Sequence, residues 1–120
     1  MGANGGIKMI KAFVVDDEPL ARDELAYLLR RTKQVEIVGE AESIDDAIGK
    51  IFEVEVDVLF LDIQLAGESG LDLASKILQQ KHRPEIVFAT AFDEYALKAF
   101  DLHAIDYLLK PFDETRVQTT

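Results

Sequence analysis

Asp16, Asp17 and Asp62 offer three carboxylates, Thr90 a hydroxyl and Lys110 an ammonium, and each stands where an apolar run stops. Phe13-Val14-Val15 precedes the aspartate pair, Val58 to Leu61 precedes Asp62, Ile86 to Ala89 precedes Thr90, and Tyr107 to Leu109 precedes Lys110. If the apolar runs are parallel strands of one open α/β sheet, their carboxyl ends lie along a single edge, where ligands bind in such sheets. Three carboxylates brought together repel one another unless protons or a cation compensate. A hard divalent cation is the natural partner, and magnesium in particular takes a few carboxylate oxygens while keeping waters and phosphate oxygens. His82 and His103 lack metal-ligand spacing and there is no cysteine, so nothing points to a softer metal. A carboxylate can also act as a nucleophile, and phosphoryl transfer asks mainly for in-line positioning and neutralised charge. Gly67 and Gly70 are too sparse for a phosphate-cradling loop and lack its lysine.

The elements that must position these groups alternate between strand and helix periods. Val14 and Val15 close a first strand. Pro19 suits the first position of a helix and steers Glu18 out of helical geometry. Ala21, Leu25, Leu28 and Leu29 form the apolar stripe of that helix. Val35 to Val38 reads as a short second strand. Ser43 with Asp46 has the pattern of a capping box, which makes the Asp45-Asp46 pair a helix start, and Ile44, Ala47, Ile48, Ile51 and Phe52 share one helical face behind it. Val58 to Leu61 is a continuous apolar run, as expected of a strand covered on both faces. The loop from Ala66 to Ser69 then leads to a helix bearing Leu71, Ala74, Ile77 and Leu78. Pro84 breaks the chain before a fourth strand, Phe92, Ala96, Ala99 and Phe100 share a face of a fourth helix, and Ile105 to Leu109 makes a fifth strand. The pattern is strand then helix, five times over, which implies a parallel sheet with right-handed crossovers and helices on both faces. Asp113 suits a helix N-cap, but only Glu114 to Thr120 follow, about 10 Å of helix, so the last helix is expected to be truncated.

Composition narrows the function classes. A chain of 120 residues with 48% apolar composition fits one domain able to bury a core. Residues 1–8 read as a leader or disordered tail and residues 9–120 as the domain. The absence of cysteine is compatible with a cytoplasmic location, and no apolar stretch approaches the roughly 20 residues of a membrane span. Thirteen basic against 23 acidic residues give a formal charge of -10, which repels a phosphate backbone and disfavours direct nucleic-acid binding.

The motifs Val14-Val15-Asp16-Asp17-Glu18-Pro19, Leu59-Phe60-Leu61-Asp62-Ile63, Ala89-Thr90-Ala91 and Tyr107-Leu108-Leu109-Lys110-Pro111-Phe112 resemble, in order, the signature of response-regulator receiver domains. Within that family, Phe92 to Phe100 and Asp106 to Pro111 are similar to the LytTR-type (LytR/AlgR) transcriptional regulators. The resemblance implies a flavodoxin-like (βα)5 fold with strand order 2-1-3-4-5. It implies that Asp62 accepts a phosphoryl group from the phosphohistidine of a sensor histidine kinase. Asp17, Asp62 and the backbone carbonyl of Gln64 would bind magnesium, with Asp16 assisting partly through water. Lys110 and Thr90 would contact the phosphoryl oxygens, Tyr107 would be the switch aromatic that responds to Thr90, and Lys110-Pro111 would be a cis peptide. DNA would be bound only by a C-terminal domain outside this sequence, and dimerisation would use the helix-four, strand-five, helix-five face. A short last helix would leave apolar sheet surface beside Leu108 and Phe112 open to association. One departure from the family pattern is Ala66, where receivers often carry proline, although Gly70 matches the usual glycine.

This reading is a signalling switch that catalyses only its own phosphorylation and dephosphorylation. A stand-alone receiver is one alternative. A magnesium-dependent phosphotransfer enzyme acting on a small molecule is another, but the first strand lacks the Asp-x-Asp arrangement of aspartyl-phosphate hydrolases.

Overall fold

The computed structural model describes residues 9–65, 67–80, 83–91, 106–110, 112 and 117. β1 (Ile10–Val15) runs into α1 (Pro19–Arg31), β2 (Val35–Ala41), α2 (Ile44–Ile51) and β3 (Val58–Leu61). A two-residue antiparallel ribbon, β4 (Gln64–Leu65) with β5 (Glu68–Ser69), leads into α3 (Gly70–Leu78), followed by β6 (Glu85–Thr90) and β7 (Asp106–Leu109). The five-stranded sheet has the order β2-β1-β3-β6-β7, with every pair parallel. With the small ribbon set aside, this is the 2-1-3-4-5 order of the flavodoxin-like fold, with β6 and β7 as the anticipated fourth and fifth strands.

The core is split by the pleat. Successive strand residues face opposite sides of the sheet, so Phe13 and Val15 join Leu59, Leu61 and Phe88 under α2 and α3. Ala12 and Val14 join Phe60, Val87, Ala89 and Leu108 under Leu25 and Leu29 of α1. Because both faces are covered, the last four residues of β1 and the last three of β3 are all buried.

Helix starts follow local chemistry. Pro19 sits at the beginning of α1, and Glu18 before it is extended at φ -94° and ψ 114°. Ser43 accepts a hydrogen bond from the Asp46 amide at 3.1 Å, as anticipated, but the Asp46 carboxylate reaches back to the Glu42 amide, one residue before the cap. Arg30 and Arg31 lie in the last turn of α1, where positive charge complements the helix dipole.

Several boundaries differ from the periodic pattern. β2 continues to Ala41 because, after a register irregularity opposite Ala12 and Phe13, it goes on pairing with β1 through Gly39 and Glu40. Phe52 is the C-cap of α2 and is 54% exposed instead of joining the Ile44, Ala47 and Ile51 face. The loop expected from Ala66 to Ser69 contains β5, and Gly67 supplies the left-handed turn at φ 72°. Among the described residues, Leu108 is 2% exposed and Phe112 packs in the same cluster as the buried Val117. The fourth helix, Ile105, the Asp113 cap, the Pro111 peptide and residues 1–8 lie outside the described residues. Among the described residues, no helix is long and apolar enough to cross a membrane.

Candidate functional site

Backbone hydrogen bonds continue the sheet one step past the strand ends and so fix the main chain of the reactive residues. The Asp16 amide donates to the Ala41 carbonyl at 3.1 Å, the Asp62 amide to Val15 at 2.9 Å and the Lys110 amide to Thr90 at 2.9 Å. Asp16 and Asp62 are each 4% exposed and Thr90 is fully buried. One carboxylate oxygen from each of Asp16, Asp17 and Asp62 lies within 4.8 Å of the others. This all-oxygen set suits a hard divalent cation, and magnesium fits its chemistry.

The Lys110 ammonium closes the cluster from the β7 side. Its Nζ lies 2.8 Å from Asp16 Oδ2, 3.1 Å from Asp62 Oδ2 and 3.0 Å from Glu18 Oε1. Burial disfavours the charged amine, but hydrogen bonds to Asp16 and Glu18 and the charge and hydrogen bond of Asp62 outweigh it, holding the ammonium well above its ordinary range. Asp16 is shifted upward as well. Burial is the main cause and the Asp62 charge adds to it, while Lys110 and the Glu18 amide only partly compensate. Because its folded pKa is raised, Asp16 contributes stability at low pH that is lost as the pH rises from the ordinary carboxylate range through the raised value.

The loop after β1 is held by its own atoms. The Glu18 amide donates to Asp16 Oδ1 at 2.9 Å, an Asx turn that carries the chain into α1. Arg22, one turn into the helix, donates from Nη1 to the Asp16 carbonyl at 2.6 Å, and its Nε lies 3.4 Å from Glu40 Oε1 at the end of β2. The periodic pattern gave Arg22 no role. Its spacing from Asp16 carries no local signal, and its second partner comes from another strand.

Gly70 explains itself by a close approach. A Cβ there would run into the backbone carbonyl of Asp62, and the Gly70 amide donates to the Ile63 carbonyl. Ser69 caps α3 by accepting from the Leu71 amide at 3.2 Å. The start of α3 is thus packed directly against the main chain that follows β3. Gly70→Ala is expected to cost about 1 to 3 kcal/mol of stability, the usual scale of overpacking, and to displace Asp62. Urea denaturation measures the first effect and a cation titration the second.

Of the residues singled out in the sequence, Asp16, Asp17, Asp62 and Lys110 come together in this cluster. Thr90 ends β6 beside Lys110, to which it is joined by the backbone bond. Tyr107 is set apart: half-buried on β7, it packs with the α2 and α3 side of the core, its ring centroid 6.2 Å from that of Phe88 at a 47° tilt. Gln64 lies in β4, directly after the acid strand end.

Comparison with known proteins agrees with this geometry. Residues 12–120 match the response regulator receiver domain family. The sensory transduction protein LytT of Bacillus cereus is 54% identical over 112 residues, which is 93% of this chain and 46% of that protein. The chain therefore spans about half the length of the curated relatives it matches. The response regulatory domain of protein mrkE from Klebsiella pneumoniae superimposes with a TM-score of 0.84 at 42% identity, covering 92% of this chain and 90% of that one. The response regulator TrrA of Thermotoga maritima, solved in complex with Mg(2+)-BeF, gives a TM-score of 0.81 at 32% identity, covering 92% and 95% of the two chains.

Proposed function

This chain belongs to the response regulator receiver domain family, and we propose that Asp62 is its phosphoryl acceptor, served by Asp16, Asp17, Thr90 and Lys110. The observation that carries the assignment is the placement of Lys110. An ammonium held between two buried carboxylates, one of them ending the central strand, stands where it can meet oxygens delivered to that carboxylate. An Asp62 oxygen attacks the phosphorus of a phosphohistidine or a small acyl phosphate in line, the bond from phosphorus to the donor atom breaks as the new P–O bond forms, and the donor leaves with the electron pair. Lys110 balances charge on the phosphoryl oxygens and Thr90 donates a hydrogen bond to one of them.

Asp17, Asp62 and the Gln64 carbonyl would hold magnesium, with Asp16 assisting partly through water. When bound, the ion supplies positive charge to the phosphoryl oxygens and relieves the repulsion among the carboxylates. That TrrA, 32% identical and of the same fold, was solved in complex with Mg(2+)-BeF supports this reading. Asp17→Ala is expected to weaken magnesium binding by at least about tenfold, since even loss of a residue behind the ligands commonly costs that much. Titration followed by amide shifts at positions 16, 17 and 62 reads it, and an unchanged affinity overturns the ligand assignment.

The phosphoryl donor is a sensor histidine kinase, and the setting is cytoplasmic. The output is a LytTR-type DNA-binding domain outside this chain, with pairing of receivers through the face that includes β7. Tyr107 is proposed as the aromatic that follows Thr90 when the site is filled. Intact mass after incubation with acetyl phosphate and magnesium tests the central reading: a single phosphoryl increment is expected. Continuous release of phosphate from a range of small phosphoesters would instead favour a metabolic phosphotransfer enzyme.

A further inference from the structure

Lys110 is fully engaged before any phosphoryl group arrives. A lysine ammonium has three N–H donors, and three carboxylate oxygens, from Asp16, Glu18 and Asp62, lie at 2.8, 3.0 and 3.1 Å. Before transfer, while Asp62 is still a free carboxylate, a phosphoryl oxygen can reach the ammonium only if one of these contacts gives way. They are not equally able to do so. The Asp16 and Asp62 side chains are 6% and 5% exposed, and a buried carboxylate that loses its cation is left poorly solvated. The Glu18 side chain is 66% exposed and regains water as soon as it swings away.

Glu18 is also free for this task in a structural sense. It is the N-cap of α1, yet its side chain makes no capping hydrogen bond. The backbone work at this position is done by its amide, which donates to Asp16, and by its carbonyl, which accepts from the Arg22 amide at 3.1 Å. Its carboxylate is directed instead across the site to a residue 92 positions away in sequence.

We propose that Glu18 is a placeholder: in the resting receiver its carboxylate occupies the position on Lys110 that a phosphoryl oxygen takes, so that filling the site requires exchange of one anion for the other. Glu18 is a positioning residue acting through Lys110, and the idea rests on the reading of Asp62 as acceptor. The exchange keeps the ammonium aimed into the pocket while unphosphorylated. It also sets a threshold, because the incoming group must outcompete a carboxylate already in place.

The test is a titration with beryllofluoride and magnesium of the wild type, Glu18→Ala, Lys110→Ala and the double variant, with the Lys110 side-chain ammonium followed by NMR. Glu18→Ala removes no capping bond, so the fold is retained. The expected result is tighter beryllofluoride binding in Glu18→Ala by about two- to fivefold, the scale of one exposed ion pair. The resting Lys110 signal should move toward its position in the filled site, and Glu18→Ala should have no effect on affinity when Lys110 is Ala. Equal tightening with and without Lys110 overturns the proposal in favour of a general field effect, as does an unchanged Lys110 signal. A wild-type chain that takes up no beryllofluoride overturns the receiver reading and the placeholder together. A wild-type chain that does, with Glu18→Ala identical to it, overturns the placeholder alone.

Discussion

Incubated with acetyl phosphate and magnesium, Asp62→Asn should remain unmodified under conditions that phosphorylate the wild type to a substantial fraction. The change keeps the shape of the side chain and its place at the end of β3, and the backbone bond from residue 62 to Val15 does not depend on it. What it removes is the anionic oxygen nucleophile. It also removes a negative charge that raises the pKa of Asp16, so the metal-free fold should be no less stable than the wild type. Loss of labelling with retained or increased melting temperature would therefore be a chemical effect. Labelling of the variant at the wild-type level would move the acceptor elsewhere, and the adjacent Asp16 and Asp17 would be the first positions to map by peptide mass.

The strand ends were legible because the signal is coarse. Val58 to Leu61 needs only to be apolar, short and followed by an acid to be read as a covered strand ending at the functional edge, and Pro19 needs only its fixed φ to announce α1. The Ser43 cap, set by local chemistry, came through with it. Contacts that cross the sheet did not. Arg22 reads as one more charge on an amphipathic helix, and its bond to the Asp16 carbonyl exists only because α1 folds back over the end of β1. Glu18 reads as a residue displaced by the following proline, yet its carboxylate meets Lys110. Phe52 failed in the opposite direction: its spacing matches the α2 face, but the helix stops at Ile51 and the ring turns out to solvent. The β4–β5 ribbon is too short to carry a period at all. Gly70 matched the family pattern by residue type, but the need for it is visible only in the carbonyl of Asp62 that a side chain would strike.

Replacing Lys110 with Ala should move two properties of the site in opposite directions. Phosphorylation of Asp62 from acetyl phosphate should slow by on the order of a hundredfold, the usual effect of removing one preorganised group that meets charge in the transition state. Magnesium should bind at least as tightly as in the wild type, because the ammonium lies against Asp16 and Asp62 oxygens that belong to the same acidic cluster. A variant that had merely lost its structure would lose both. The coupling beyond the site should fail as well: Lys110 is joined through its amide to the Thr90 carbonyl at 2.9 Å, and β7 carries Tyr107 three residues before it. With the ammonium gone, beryllofluoride loses its direct hold on that end of β7, and only Thr90, paired with Leu109, remains to relay it. Amide shifts of Thr90 and Tyr107 with and without beryllofluoride measure this, and wild-type-like shifts in Lys110→Ala would place the switch outside Lys110. The opposed signs follow from one geometric fact. In the resting protein this cation neutralises carboxylates, and in the phosphorylated protein it must serve the phosphoryl group, so its removal frees the acids for metal while depriving the transferred group of its partner.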